Sequence, residues 1–199
     1  NTGYSDVPAT EYYAPYIQWA KAEGIMAGTS DATFAPEEPI WLLGKLKEYG
    51  MKLINITMGN PYFNPHVNRP FASGTYDPPE HPMVGVHRML TGIAEVAAAV
   101  PNVPVISSGI SLLGAASPYV MAAMIEKGDF AFAGYGRETL AYPDLARDIL
   151  NTGKMDEKKL CLTCGKCTEI MRIPGGTPGC PIRDGECYLP IYKKQVLGK

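Results

Sequence analysis

The sequence predicts an α/β fold in which parallel strands alternate with helices. Three apolar runs rich in β-branched or aromatic residues predict strands, LINIT at 53–57, VPVIS at 103–107 and FAFAG at 130–134. The stretches around them carry apolar residues at the spacing of amphipathic helices. Strands and helices that alternate in this way build β/α units, whose strands run parallel beneath a layer of helices.

The predicted helices have recognisable ends. Gly50 ends the first helix, whose apolar stripe comprises Leu42, Leu43, Leu46 and Tyr49. A long loop leads to the second helix, whose apolar face comprises Val86, Met89, Leu90, Ile93, Val96 and Ala97. Ser117 and Pro118 predict the N-cap and the first residue of a third helix, which Gly128 ends. A last helix follows the third strand and closes near Gly153.

Length and composition predict a folded domain with a small appendage. The chain has 199 residues, of which 46% are hydrophobic. Its formal net charge of −2, with Lys and Arg scattered, predicts no nucleic acid and no membrane as partner. No apolar run is long enough to cross a bilayer. A (β/α)8 barrel needs eight strands, so three strands form either a small open sheet or part of something larger.

Composition divides the chain into three parts. Residues 1–40 are rich in Tyr and Ala, nearly lack Lys and Arg, and predict one short helix at 14–23. Residues 41–153 hold the β/α units, and residues 154–199 hold all five cysteines. We therefore predict domain boundaries after residues 40 and 153.

Four cysteines near the C-terminus predict a metal centre. Cys161, Cys164 and Cys167 form a C-x2-C-x2-C run, and Cys180 follows later, just before a proline. This spacing is typical of the thiolate ligands of an iron-sulfur cluster. We therefore predict a 4Fe-4S cluster and electron transfer.

Two other interpretations of these cysteines stay open. A zinc site with four cysteine ligands uses similar pairs, but normally as two separated C-x2-C hairpins. Disulfides form a second alternative, although all five cysteines lie in the last quarter of the chain and the rest offers no partner. Cys187 is left over, and we interpret it either as a thiol close to the ligand cysteines or as a merely packed thiol.

Glycine-containing loops after the second and third strands predict an anion site. Ser108 and Gly109 follow one strand, and Gly136 and Arg137 follow the next. Glycine lets backbone N–H groups turn toward an anion, and a guanidinium offers donors that match a phosphate. The alternative is that these small residues only permit tight turns.

The long loop after the first strand adds two candidates for catalysis. Loops at the carboxyl ends of parallel strands commonly cover a site. His66 in this loop has the side chain to relay a proton, and Arg69 supplies a cation. The alternative is that His66 is a hydrogen-bonding surface residue.

From about residue 42 onward, the chain resembles the C-terminal part of the NADH:flavin oxidoreductase family, which is related to old yellow enzyme. The resemblance rests on LINITMGNPYFNPHVNRP, VPVISSG, FAFAGYGRETLAYPDLA and the cysteine segment. It is most specific for the iron-sulfur branch that includes 2,4-dienoyl-CoA reductase. The family fold is an FMN-binding (β/α)8 TIM barrel, so the resemblance implies a partial barrel whose strands correspond to the sixth, seventh and eighth.

The resemblance implies a cytoplasmic NAD(P)H-dependent oxidoreductase that reduces an activated alkene or enoyl thioester. Its FMN phosphate would lie against Ser108, Gly109, Gly136 and Arg137. Its 4Fe-4S cluster would be bound by Cys161, Cys164, Cys167 and Cys180, although dienoyl-CoA reductases place the third cysteine one residue later. The substrate would lie near His66 and Arg69. The family's first five strands have no counterpart here, which implies an incomplete or chimeric chain.

Residues 1–40 resemble a single, truncated S-layer homology repeat. The resemblance rests on YSDVP, YIQWAKAEGI and TFAP. Such repeats bind secondary cell-wall polysaccharide, usually in sets of three, and normally continue with a Thr-Arg dipeptide where this chain has Trp41 and Leu42. The alternative function is therefore an extracellular cell-wall anchor with polysaccharide as its partner.

Overall fold

A computed structural model describes residues 36–59, 65–72, 74 and 76–198. Within them, strands β1 (Ile54–Ile56), β2 (Val105–Ser107) and β3 (Phe132–Ala133) form one parallel sheet in the order β1-β2-β3. Ile54 pairs with Val105, and Ser107 pairs with Ala133. Each strand lies inside a run that the sequence predicts to be a strand. The partial barrel stays a prediction.

The helices alternate with the strands along the chain and continue after the last strand. They are α1 (Glu37–Glu48), α2 (Pro65–Asn68), α3 (Pro82–Ala99), α4 (Ser117–Lys127), α5 (Arg137–Ala141), α6 (Leu145–Thr152), α7 (Lys166–Met171) and α8 (Gly185–Gln195), with a 3-10 helix at Ser111–Ala116. Gly128 and Gly153 end α4 and α6 with φ of 86° and 71°, so both predicted helix ends are confirmed. In the described part of the chain, no helix has the length and hydropathy that crossing a bilayer requires.

Two predictions concern the N-terminal part of the chain. The helix predicted at 14–23 lies outside the described residues. Helix α1 is continuous across the predicted junction between residues 40 and 41. The domain boundaries stay a prediction.

The prediction that Ser117 is a helix N-cap is wrong. Ala116 occupies the N-cap, and Ser117 is the first residue of α4. The 3-10 helix leads directly into α4, so Ser117 already has helical backbone angles. Its buried hydroxyl is used in tertiary contacts instead, accepting from the Tyr135 hydroxyl at 3.1 Å and donating to Met155 Sδ at 3.6 Å.

The amphipathic helix α3 supplies much of the main core. Its buried face packs with residues from α1, β2, α4 and the loops, in a cluster of Leu43, Met58, Val86, Met89, Leu90, Ile93, Val96, Val100, Val105, Ile110, Met121 and Phe130. The helical stripe predicted for this segment is confirmed. Because the strands are parallel, their carboxyl ends lie at one edge of the sheet, where Thr57, Ser108 and Gly134 follow them.

A second, smaller core joins α6 to the segment that leads to the cysteines. Tyr142 is fully buried, and its hydroxyl donates to Asp148 Oδ2 at 2.5 Å and accepts from the Asp156 N–H at 3.1 Å. Lys159 Nζ donates to the same Asp148 oxygen at 2.9 Å. The hydrogen bonds from Tyr142 and Lys159 hold the pKa of Asp148 below its usual value. These contacts fix the start of the cysteine segment against α6.

Candidate functional site

A cleft of about 250 Å³ lies at the carboxyl edge of the sheet. It is lined by Asn55, Thr57, Asn68, Arg69, Ser108, Gly109, Ser111, Tyr135, Gly136 and Arg137. All four residues predicted to hold a phosphate lie here, together with one of the two catalytic candidates. The sequence analysis missed Asn55 and Thr57. Their signal was available, because Asn55 lies within the first strand and Thr57 directly follows it, and loops and side chains at the carboxyl ends of parallel strands build binding sites.

Ser108 is fixed by its neighbours in this cleft. Its hydroxyl donates to Asn55 Oδ1 at 2.7 Å. That bond leaves the Asn55 amide N–H groups and the Ser108 oxygen lone pairs for a ligand. Gly134 is required at its position, because a Cβ there would collide with the Ser108 hydroxyl. Gly134, which follows β3, has no side chain and thus leaves room for Ser108, which follows β2.

Gly109 is required for a different reason. Its φ of 90° lies in the left-handed region, and a Cβ would collide with Met89 Sδ in the core. A Cβ on Gly136, in contrast, would meet no atom within 4 Å. Gly136 is therefore not required by packing. What it provides is an open approach to the backbone just before Arg137.

Two guanidinium groups give the cleft its positive charge. Arg69 Nη1 donates to Thr168 Oγ1 at 2.6 Å, while its Nε is buried and has no hydrogen-bond partner. Burial lowers the pKa of Arg69, and the positive charges of Arg137 and Arg172 lower it further. An anion in the cleft would offset this repulsion. The arrangement therefore suits a phosphate group.

His66 does not line the cleft. It is 8% exposed, and its Nδ1 lies 2.7 Å from the hydroxyl of Tyr76, which also accepts from the His66 N–H at 3.2 Å. The interpretation of His66 as a surface residue is therefore wrong, although its hydrogen bond is present. Tyr76, which the sequence analysis missed, holds the ring in place. A role for His66 in proton transfer stays a prediction.

The four predicted ligand cysteines line one small cavity. Cys161, Cys164, Cys167 and Cys180 share it with Arg137, Leu140, Leu162, Gly165, Pro181, Ile182 and Arg183. The fifth cysteine, Cys187, is exposed near the start of α8 and does not line the cavity. All five cysteines have free thiols.

The backbone of this segment turns tightly around Cys164. Thr163 and Gly165 on either side of it have φ of 53° and 80°. The Thr163 N–H donates to Cys161 Sγ at 3.3 Å, and the Arg183 N–H donates to Cys180 Sγ at 3.4 Å. Hydrogen bonds from N–H groups to sulfur stabilise thiolates and tune the potential of iron-sulfur centres.

Among the described residues, no three His, Cys, Asp or Glu side chains are grouped closely enough to hold one metal ion. The cavity that the four cysteines line has a volume of about 10 Å³. The iron-sulfur cluster and the alternative zinc site both stay predictions.

Protonation of Cys161 opposes metal binding in the cavity. Burial raises the pKa of Cys161 to about 11, against the opposing effects of the Thr163 N–H and of Arg137. A metal centre must therefore displace a proton that this thiol holds at neutral pH.

Glu138 is a residue of the site that the sequence analysis missed. It is 1% exposed and accepts a hydrogen bond from the Cys161 N–H at 2.9 Å. Burial raises the pKa of Glu138, while the bond from Cys161 and the charges of Arg183 and Arg137 oppose that rise. A buried glutamate in α5 thus holds the loop that carries Cys161. No local sequence signal marks this residue, because only the fold brings the Cys161 N–H to it.

Comparison with known proteins concerns the N-terminal part of the chain. Residues 3–40 match the family model of the S-layer homology domain, which confirms the resemblance of that segment. The comparisons with curated proteins and with solved structures return no match. The resemblance of residues 42–199 to flavin oxidoreductases stays a prediction.

Proposed function

We propose that residues 42–199 form the cofactor-binding part of an oxidoreductase, with FMN bound in the cleft and a 4Fe-4S cluster in the cysteine cavity. The observation that carries the proposal is the position of four thiols around one cavity that shares a wall residue, Arg137, with an anion-binding cleft. Electron transfer between two centres requires such proximity. The donor sets of the two cavities suit a thiolate-bound cluster and a phosphate, respectively.

The residues of the cleft have separate roles in this proposal. The phosphate is held by Ser108, Gly109, Gly136 and Arg137. Arg69 orients the substrate from the loop side. His66 lies outside the cleft lining, so its proposed role in proton transfer requires a substrate that extends beyond the cleft. The bound flavin supplies hydride transfer from NAD(P)H to an activated alkene or enoyl thioester, and the cluster supplies single electrons.

The cleft is tested by comparing FMN with riboflavin, which lacks the phosphate. We expect FMN to bind at least about tenfold more tightly, because charge-assisted hydrogen bonds to phosphate contribute more than 1.4 kcal/mol. Ser108→Ala should weaken FMN binding about three- to tenfold, since it removes one hydroxyl. Isothermal titration calorimetry measures both effects.

Thr91→Ala is the matched control for that experiment. Its hydroxyl bonds to helix backbone within α3, and it does not line the cleft. We expect this variant to bind FMN with wild-type affinity. Equal affinities for FMN and riboflavin, or an unchanged affinity in Ser108→Ala, would show that the phosphate does not bind where we place it.

A second candidate function rests on the family match of residues 3–40. S-layer homology domains bind cell-wall polysaccharide, so the chain is a candidate cell-surface anchor. This function places the protein outside the cell, whereas a reduced thiolate cluster belongs in the reducing cytoplasm. The two candidate functions therefore differ in compartment as well as in partner.

Sedimentation with purified secondary cell-wall polysaccharide tests the anchor. We expect the full chain to co-sediment and a variant lacking residues 3–35 to stay in solution. The deletion leaves helix α1 and the sheet intact in sequence, and circular dichroism checks that it is folded. Equal sedimentation of both proteins would exclude these residues as the polysaccharide-binding part.

A further inference from the structure

We propose that Thr168 is a positioning residue of the cleft, because it holds the guanidinium of Arg69 in place for an oxyanion that binds there. Thr168 lies in α7, within the cysteine segment (residues 154–199), whereas Arg69 directly follows α2. This inference rests on the proposed function, since it requires an anion in the cleft. It adds that the cysteine segment shapes the cleft directly, through a hydrogen bond that needs no metal.

One long-range hydrogen bond joins the cleft to the cysteine segment. Arg69 Nη1 donates to Thr168 Oγ1 at 2.6 Å, across 99 positions of the sequence. Because the donor is charged, this bond is stronger than one between neutral groups. Among the described residues, no acidic side chain lines the cleft. Thr168, and not a carboxylate of the cleft wall, therefore holds the guanidinium of Arg69.

The position of Arg69 needs such support. Arg137 lines the same cleft, and its positive charge and that of Arg172 act against the charge of Arg69. A long arginine side chain has several rotatable bonds and loses considerable entropy when it is fixed in one place. A side chain that is already ordered does not have to be ordered when the ligand binds, so it binds an anion more tightly.

Thr168 is itself fixed in the fold. It lies in the first turn of α7, where its N–H donates to the Gly165 carbonyl at 2.9 Å. The helix is anchored by the buried Ile170 and by Glu169, whose Oε2 accepts from the Tyr192 hydroxyl at 2.7 Å. A β-branched side chain is also restricted in χ1. Helix α7 therefore offers the guanidinium an acceptor at a fixed place.

Thr168→Val is the substitution that tests this role. Valine has nearly the shape of threonine but no hydroxyl, so Arg69 keeps its charge and loses only its partner. We expect inorganic phosphate to bind about three- to tenfold more weakly, because ordering one long side chain on binding costs that much affinity. Thr168→Ser, which keeps the hydroxyl, should stay within about twofold of the wild type. Isothermal titration calorimetry of the full chain at constant ionic strength measures these affinities.

A double-mutant cycle separates positioning from a general loss of structure. Arg69→Gln removes the guanidinium, so Thr168 has nothing left to position. In that background, Thr168→Val should cause no further loss of phosphate affinity. Thr152→Val is the matched control, because its hydroxyl bonds to backbone carbonyls at the end of α6 and it does not line the cleft. It should bind phosphate with wild-type affinity.

Hydrogen exchange tests the same link without any change at Thr168. Phosphate bound at Arg69 should slow the exchange of backbone amides in α7 of the wild-type chain, and Arg69→Gln should lose this protection. This measurement decides the question if circular dichroism shows that Thr168→Val does not fold.

Three results would overturn the role of Thr168 and leave the proposed function standing. They are wild-type phosphate affinity in Thr168→Val, an undiminished loss from Thr168→Val in the Arg69→Gln background, and unchanged amide exchange in α7 at saturating phosphate. A wild-type chain that binds no phosphate would overturn the inference as well. Equal affinities for FMN and riboflavin would, in addition, overturn the proposed function.

Discussion

Replacing Cys164 by serine is expected to abolish the broad visible absorption that arises from thiolate-to-iron charge transfer. Cys164 lines the cysteine cavity between two residues with positive φ, and Cys187 does not line it. A serine hydroxyl is a poor ligand for the soft iron of a cluster. Absorption spectra of anaerobically purified protein, together with the iron content, measure the loss.

Cys187→Ser is the control for this substitution. It makes the same chemical change at an exposed cysteine outside the cavity. We expect it to keep the wild-type spectrum and iron content. If both variants lost the absorption equally, or if neither did, the assignment of ligands to the cavity would be wrong.

Replacing Glu138 by alanine is expected to lower the free energy of unfolding by about 3 kcal/mol. The substitution empties a fully buried position and leaves the Cys161 N–H without its acceptor. Glu138→Gln should lower the free energy of unfolding far less, because a glutamine Oε1 can accept the same hydrogen bond without the cost of a buried charge. Urea denaturation of the three proteins gives the comparison.

The two Glu138 variants also separate packing from positioning. If Glu138 positions Cys161, alanine should reduce the yield of assembled cluster while glutamine preserves it. Alanine and glutamine variants with equal stability would show that the hydrogen bond to Cys161 contributes nothing. Equal cluster yields would show that the loop holds its shape without it.

Features encoded in short stretches of sequence could be predicted. The three strands follow from β-branched apolar runs, and Gly128 and Gly153 end helices through their own backbone angles. The proximity of Cys161, Cys164 and Cys167 also follows from the local sequence, because only two residues separate each cysteine from the next. The shared cavity with Cys180 agrees with the spacing that indicated a common ligand set.

Features that depend on distant partners could not be predicted. Serine is a residue type that favours the N-cap, but a preceding 3-10 helix and the hydroxyl of Tyr135 determine the environment of Ser117. Glu138 appears in the sequence as an ordinary helical carboxylate, and only the fold brings the Cys161 N–H to it. His66 is likewise buried by Tyr76, ten residues away in a loop without periodicity.

The central claim is that the cysteine cavity holds an iron-sulfur cluster. The most direct measurement is the iron, acid-labile sulfide and zinc content of this chain, purified without exposure to oxygen. The account predicts about four irons and four sulfides per chain, and very little zinc. One zinc per chain without sulfide would contradict it, because the four thiols would then hold a single ion and carry no electrons.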